Sequence, residues 1–114
     1  MNNALIEKYR DFAALQSEAS KDGRPKVSNR AYDGLVETLD ELVQANLDSE
    51  LFSLFDDPDT GVQMWAAAHT LELDRLRAEE KLEELSAGSS IAAFEAEMTL
   101  NEWKAGHLRF RRQR

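Results

Sequence analysis

The chain has 114 residues, a mass of 12.9 kDa, 42% hydrophobic and 32% charged side chains, which is one domain whose core must come from a few well-placed stripes. It contains no cysteine, and this excludes disulfide frameworks, thiolate zinc sites and cysteine nucleophiles. Fourteen Lys and Arg against 22 Asp and Glu leave a net charge of −8, the wrong sign for a general nucleic-acid binder.

The first segment places Leu5, Tyr9, Phe12, Leu15 and Ala19 three or four residues apart, the spacing of a helix with one buried stripe. Lys21-Asp22-Gly23-Arg24-Pro25-Lys26 breaks it. Val27, Ala31, Leu35, Leu39 and Leu42 then define a second amphipathic helix, and Asp33, Glu37, Asp40 and Glu41 fall on its opposite side. After a weaker break at Asn46-Leu47-Asp48-Ser49, Ser49 is expected to cap a short third helix bearing Leu51, Phe52, Leu54 and Phe55. The turn Asp56-Asp57-Pro58-Asp59-Thr60-Gly61 leads into a fourth helix, Thr60 to Leu73, apolar nearly all round and therefore central. Asp74 is the expected cap of a fifth helix with Leu76, Leu82 and Leu85 on its apolar side. A sixth runs from about Ser90 to Ala105. No alternating β-branched run occurs, so no strand is predicted.

The fourth and sixth helices superpose at an offset of 29 residues, Val62 on Ile91, Trp65 on Phe94, Ala67 on Ala96, Thr70 on Thr99 and Leu71 on Leu100. Upstream, Leu51 and Leu54 pair with Leu82 and Leu85 at an offset of 31. A two-helix unit used twice is the mark of an α-solenoid. Ala66, Ala68 and Leu73 in the first copy become Glu95, Glu97 and Glu102 in the second, so the second copy is expected to end the row with a polar outer side. The predicted fold is all-α: about six helices, an N-terminal hairpin followed by two helix-turn-helix units, in one domain over residues 1–106 with a basic tail over 107–114.

The run Asp57-Pro58-Asp59-Thr60-Gly61-Val62-Gln63-Met64-Trp65-Ala66-Ala67 resembles the inter-helix turn and second-helix start of HEAT-like repeats, with Gln63 where those commonly carry Arg. Asn29-Arg30-Ala31-Tyr32-Asp33, Asp40-Glu41-Leu42, Ala96-Glu97-Met98 and Glu102-Trp103-Lys104-Ala105-Gly106 extend the likeness over roughly residues 1 to 106. Together they are similar to a family of short bacterial HEAT-like proteins that carry a domain of unknown function. The resemblance implies an architecture and brings no activity with it.

Charge is the clearest functional signal. From Ala31 to Asp74 there are 11 acids and no Lys or Arg, whereas His107 to Arg114 holds four positives and no acid. A field of this kind attracts and selects a basic partner. The expected function is a non-catalytic protein-binding module, of the type of an immunity protein that neutralises a basic, nuclease-like toxin. Its partner-binding residues are expected to be Asp33, Glu37, Asp40, Glu41, Asp56, Asp57 and Asp59. No nucleic acid, membrane or cofactor is expected.

No run approaches membrane-span length, and the start, Met1 to Lys8, lacks a basic then apolar leader, so the cytoplasm is the expected compartment. No nucleophile elbow, phosphate loop or dinucleotide fingerprint occurs, and no enzymatic activity is expected. The pairs Asp33/Glu37, Glu37/Glu41, Glu79/Glu83 and Glu80/Glu84 are expected to be solvated faces. His69 lacks a second histidine nearby and is expected as a core residue bonded to a neighbouring helix, with Met98 in the matching packing slot. Trp65 is expected in the core. The alternative function is a small-molecule or metal-binding regulator with a pocket near His69 and Trp65; a third is a self-assembling structural protein.

Overall fold

Gly23 ends the first helix and starts the second. Its φ of 70° lets Arg24 N–H reach back to Ala19 O at 2.8 Å while Gly23 N–H bonds Ser20 O at 3.3 Å, the paired closure that terminates a helix with a left-handed residue. Pro25 then opens the next helix, where its missing N–H costs nothing. The computed structural model describes residues 4–108. Its elements are α1 (Ala4–Lys21), α2 (Pro25–Gln44), a 3-10 segment (Asp48–Asp56), α3 (Thr60–His69), α4 (Arg75–Ser86) and α5 (Ile91–Lys104), with no strand among the described residues. The described residues are therefore all-α, with six helical segments in the order the sequence predicts.

Tyr9 and Ala13 of α1 meet Leu35, Leu39 and Leu42 of α2 in the core, which makes these two helices an antiparallel hairpin. α3 is the central element and contacts α1, the 3-10 segment, α4 and α5. It buries Val62, Met64, Ala66, Ala67, Ala68 and His69, as a helix apolar on all sides should. At Gly61 the first turn of α3 comes so close to α1 that a Cβ there would collide with the side chain of Ser17. Glycine is required at that point by space, because overpacking a closed contact typically costs about 1–3 kcal/mol. α4 and α5 form the last hairpin, closed by Ala78, Leu82, Ala96 and Leu100.

Several expectations need correction. The third segment is a 3-10 helix that starts after Leu47 without a side-chain cap, so Ser49 lies inside it and caps nothing. α3 stops at His69, four residues early, with Thr70 at the cap position and its hydroxyl bonded back to Ala66 O (2.9 Å) and Ala67 O (3.1 Å). Leu73, in the turn after α3, is exposed, and so is Leu76, since α4 turns Ala78 and Leu82 inward instead. The Asp74 cap holds, accepting from Arg77 N–H at 3.2 Å, and so does the α5 boundary, where Ser90 accepts from Ala93 N–H at 3.1 Å.

The 29-residue correspondence divides in the same way. Ala67 and Ala96 are both buried, as are Leu71 and Leu100. Val62 is 0% exposed whereas Ile91 is 44% exposed, Trp65 is half-buried whereas Phe94 is 60% exposed, and His69 is buried whereas Met98 is 49% exposed. α1 covers the Val62–His69 side of α3, and no described element covers the matching side of α5 to the same degree. The packing slot expected at Met98 is thus not formed.

Candidate functional site

α2 is amphipathic because Ala31, Leu35, Leu39 and Leu42 turn inward, and the residues between them must face outward at about 100° per residue. Asp33, Glu37 and Glu41 are exposed and Asp40 half-exposed on that outer face. Glu41 accepts from Lys8 Nζ of α1 at 3.0 Å, with both side chains about half exposed. A pair of that kind contributes little to stability, but it shields one end of the acidic row.

The acids of the turn before α3 have different work. Asp56 is exposed. Asp57 has a side chain only 7% exposed, held by Arg10 Nε at 2.6 Å and Nη2 at 3.2 Å. This contact raises the Arg10 pKa above its ordinary value, first through the hydrogen bond and then through the charge of Asp57. Asp57 also accepts from Asp59 N–H at 2.9 Å, and its carbonyl accepts from Gln63 Nε2 at 2.5 Å. Gln63 therefore reaches back across the turn although it is not the arginine the motif leads one to expect. Asp59 caps α3, accepting from Gly61 N–H at 2.8 Å and Val62 N–H at 3.3 Å. Of the seven expected partner-binding residues, Asp57 and Asp59 are thus engaged in building the turn, and Asp33, Glu37, Asp40, Glu41 and Asp56 remain at the surface.

The aromatic cluster around His69 is part of the core. Tyr9 Oη and His69 Nδ1 lie 2.6 Å apart in a buried hydrogen bond whose donor depends on the imidazole tautomer. Burial pushes the His69 pKa down to about 3 and the Tyr9 pKa well above its ordinary value, so both are neutral near pH 7. This is the bond to a neighbouring helix that the sequence leads one to expect. Trp65 stacks obliquely between His69 and Tyr32, with ring centroids 5.4 and 5.6 Å away, and donates from Nε1 to Gln16 Oε1 at 2.7 Å. It is half-buried rather than fully core. Among the described residues no three of His, Asp and Glu gather as metal ligands.

Two clefts open elsewhere. One, of about 430 Å³, lies between the end of α1 and the starts of α3 and α5, lined by Glu18, Lys21, Asp22 and Asp59 among others. The second, of about 450 Å³, is lined by Glu72, Arg75, Glu79, Trp103, Lys104 and Gly106. In it Glu79 accepts from Trp103 Nε1 at 2.8 Å and pairs with Arg75 at 3.6 Å. Glu79 is therefore a positioned carboxylate and not part of a solvated face. Nothing in the local spacing of α4 reveals this, because the partner comes from α5. Of the basic tail, His107 and Leu108 are described; His107 Nδ1 lies 3.1 Å from Glu102 Oε2, and Arg109, Phe110, Arg111 and Arg112 lie outside the described residues.

The family model described as "Domain of unknown function (DUF2019)" matches residues 3–103. The chain belongs to this family. It is also similar to a solved structure, "Crystal Structure of the Protein RPA1889 from Rhodopseudomonas palustris CGA009", with a TM-score of 0.84 and 26% identity, covering 93% of this chain and 90% of that one. No curated protein matches the chain. Residues 3–103 of the DUF2019 match take in all of the turn acids, the α2 face and the His69 cluster. No helix among the described residues is long and apolar enough to cross a membrane.

Proposed function

We propose that this DUF2019 chain is a non-catalytic, HEAT-like bacterial module that binds a basic protein in the cytoplasm, in the manner of an immunity protein that fills the nucleic-acid cleft of a nuclease-like toxin. One observation carries the reading. The outer face of α2 displays Asp33, Glu37, Asp40 and Glu41, within a stretch of 44 residues, Ala31 to Asp74, that contains no Lys or Arg. Rows of carboxylates on a rigid helix present charge at a spacing a basic cleft can follow, and they speed encounter in proportion to the field. The HEAT-like description is supported by the Asp57–Asp59 turn, tied by Gln63 and Arg10, and by the two successive hairpins that follow α2.

The test is affinity capture from the source cells on immobilised protein, alongside the Asp33→Lys/Glu37→Lys/Asp40→Lys variant. A basic protein held at low salt, released at high salt and bound by the variant with an association rate lowered about tenfold or more is the expected result. Circular dichroism should show the variant as helical as the parent, since none of the three side chains is buried. A partner held equally by both proteins eliminates the α2 face.

A further inference from the structure

α5, the last helix among the described residues, carries an apolar stripe in solvent. At about 100° per residue, Ile91, Phe94 and Met98 fall within about 60° of one another, and all three are exposed. Their spacing of three and four residues is the one an apposed helix reads. The opposite side of α5 is fully used, with Ala92, Ala93, Ala96 and Leu100 buried. Scattered surface hydrophobes are ordinary, but a contiguous stripe marks a contact site. On α3 the matching positions, Val62, Trp65 and His69, are covered by another helix.

The edges of the stripe define what covers it. Glu95 and Glu102 flank it on one side and Glu97 on the other. Glu95 is half-buried, and its Oε1, sealed from solvent, finds no hydrogen-bond donor among the described residues. Burial raises its pKa. That oxygen is closed to a docking partner, so the charge met along these margins is that of Glu97 and Glu102, both exposed, and cationic side chains complement it best. A second copy of the same stripe across a two-fold axis brings acids against acids, which costs energy at an interface. An apolar stripe with acidic margins is instead complementary to an apolar stripe with basic margins.

We infer that the outer face of α5, carried by Ile91, Phe94 and Met98 and edged by Glu95, Glu97 and Glu102, docks an amphipathic helix of another protein that brings apolar side chains flanked by Lys or Arg. Phe94 and Met98 supply the apolar contact, and the exposed carboxylates of Glu97 and Glu102 accept from lysines or arginines at its margins. This surface is separate from the α2 face and stands without it.

A synthetic helical peptide of leucines on one side and lysines on the other is the probe, with glutamate replacing lysine in its control. Titrated into the ¹⁵N-labelled full chain, the basic peptide should shift the amides around 91, 94, 95 and 98 and leave those of 33 to 41 in place. Phe94→Ser/Met98→Ser, at exposed positions, should keep the thermal midpoint and weaken binding tenfold or more. Glu97→Gln/Glu102→Gln should weaken it severalfold and flatten its salt dependence. Absence of binding, equal binding of the control peptide, unchanged affinity of Phe94→Ser/Met98→Ser, or shifts centred on α2 would each overturn the inference. The last of these would leave the α2 reading standing. Sedimentation showing a dimer that the same double substitution dissolves would also overturn it, by giving the stripe to a second copy.

Discussion

Ala67 and Ala96 are equally buried in α3 and α5, while Val62 and Ile91, at matched positions one turn or so earlier, lie in core and in solvent. The two helices share an inner sequence and differ in what surrounds them. α3 has neighbours on several sides and spends its large side chains on them, Trp65 on Gln16 and His69 on Tyr9. α5 turns Ala92, Ala93, Ala96 and Leu100 toward its neighbours and leaves Ile91, Phe94 and Met98 outward. A repeat in sequence therefore fixes the positions that face the shared interior. It does not fix the outer positions, whose surroundings depend on which element comes next in the row.

Paired substitutions can break this comparison. The largest difference is expected between Trp65→Ala and Phe94→Ala. The first removes a packed ring and its bond to Gln16 and should cost about 3 kcal/mol; the second removes an exposed ring and should stay within about 0.5 kcal/mol. Urea unfolding of the two variants measures both, and equal losses would mean that α5 is covered as α3 is.

The next effect is a matter of pH. His69 stays neutral in the fold down to a pKa of about 3, whereas an unfolded histidine takes a proton near its ordinary value of about 6.5. Below about pH 6.5 the unfolded state therefore binds more protons, and stability falls as pH drops toward 3, by up to about 1.4 kcal/mol per unit. Above about pH 6.5 neither state takes the proton, and stability no longer depends on pH through His69. In His69→Gln the acid-side slope should be shallower than in the parent, while Met98→Gln, at the matched exposed position, should leave it as it was. Denaturant midpoints between pH 4 and 7 would show it.

The smallest expected effect sharpens the comparison by agreement. Asp59 and Ser90 cap α3 and α5 through the same kind of side-chain bond. Asp59→Ala and Ser90→Ala should each cost about 1 kcal/mol, and near-equal shifts in thermal midpoint would place the two helix starts on a par despite their different surroundings. A much larger loss for Asp59→Ala would show that the turn it shares with Asp57 adds to the cap.

The features written locally in the chain are the ones that sequence reading recovers. Gly23 with Pro25, Asp74 and Ser90 each mark a helix end through their own backbone or side-chain chemistry. The spacing along α2 places its acids on the outside, where Asp33 and Glu37 are found. What escaped it depends on distant partners. Asp57 looks like one more surface acid until Arg10, 47 residues away, closes on it, and Glu79 looks solvated until Trp103 arrives from α5. Leu76 fits a helical stripe by count and is left outside because Ala78 and Leu82 take the inward positions of α4. The 3-10 form of residues 48–56 is also hidden, since its apolar residues satisfy either helical period over so few turns.

The meeting of Gly61 with Ser17 sets a limit on how the chain can vary. The two positions share one fixed volume where α1 crosses α3, so neither can grow alone. An alanine at 61 becomes tolerable only if 17 shrinks to glycine, and in proteins descended from a common ancestor these two sites should change hands together, as a pair written 44 residues apart and read as a single joint.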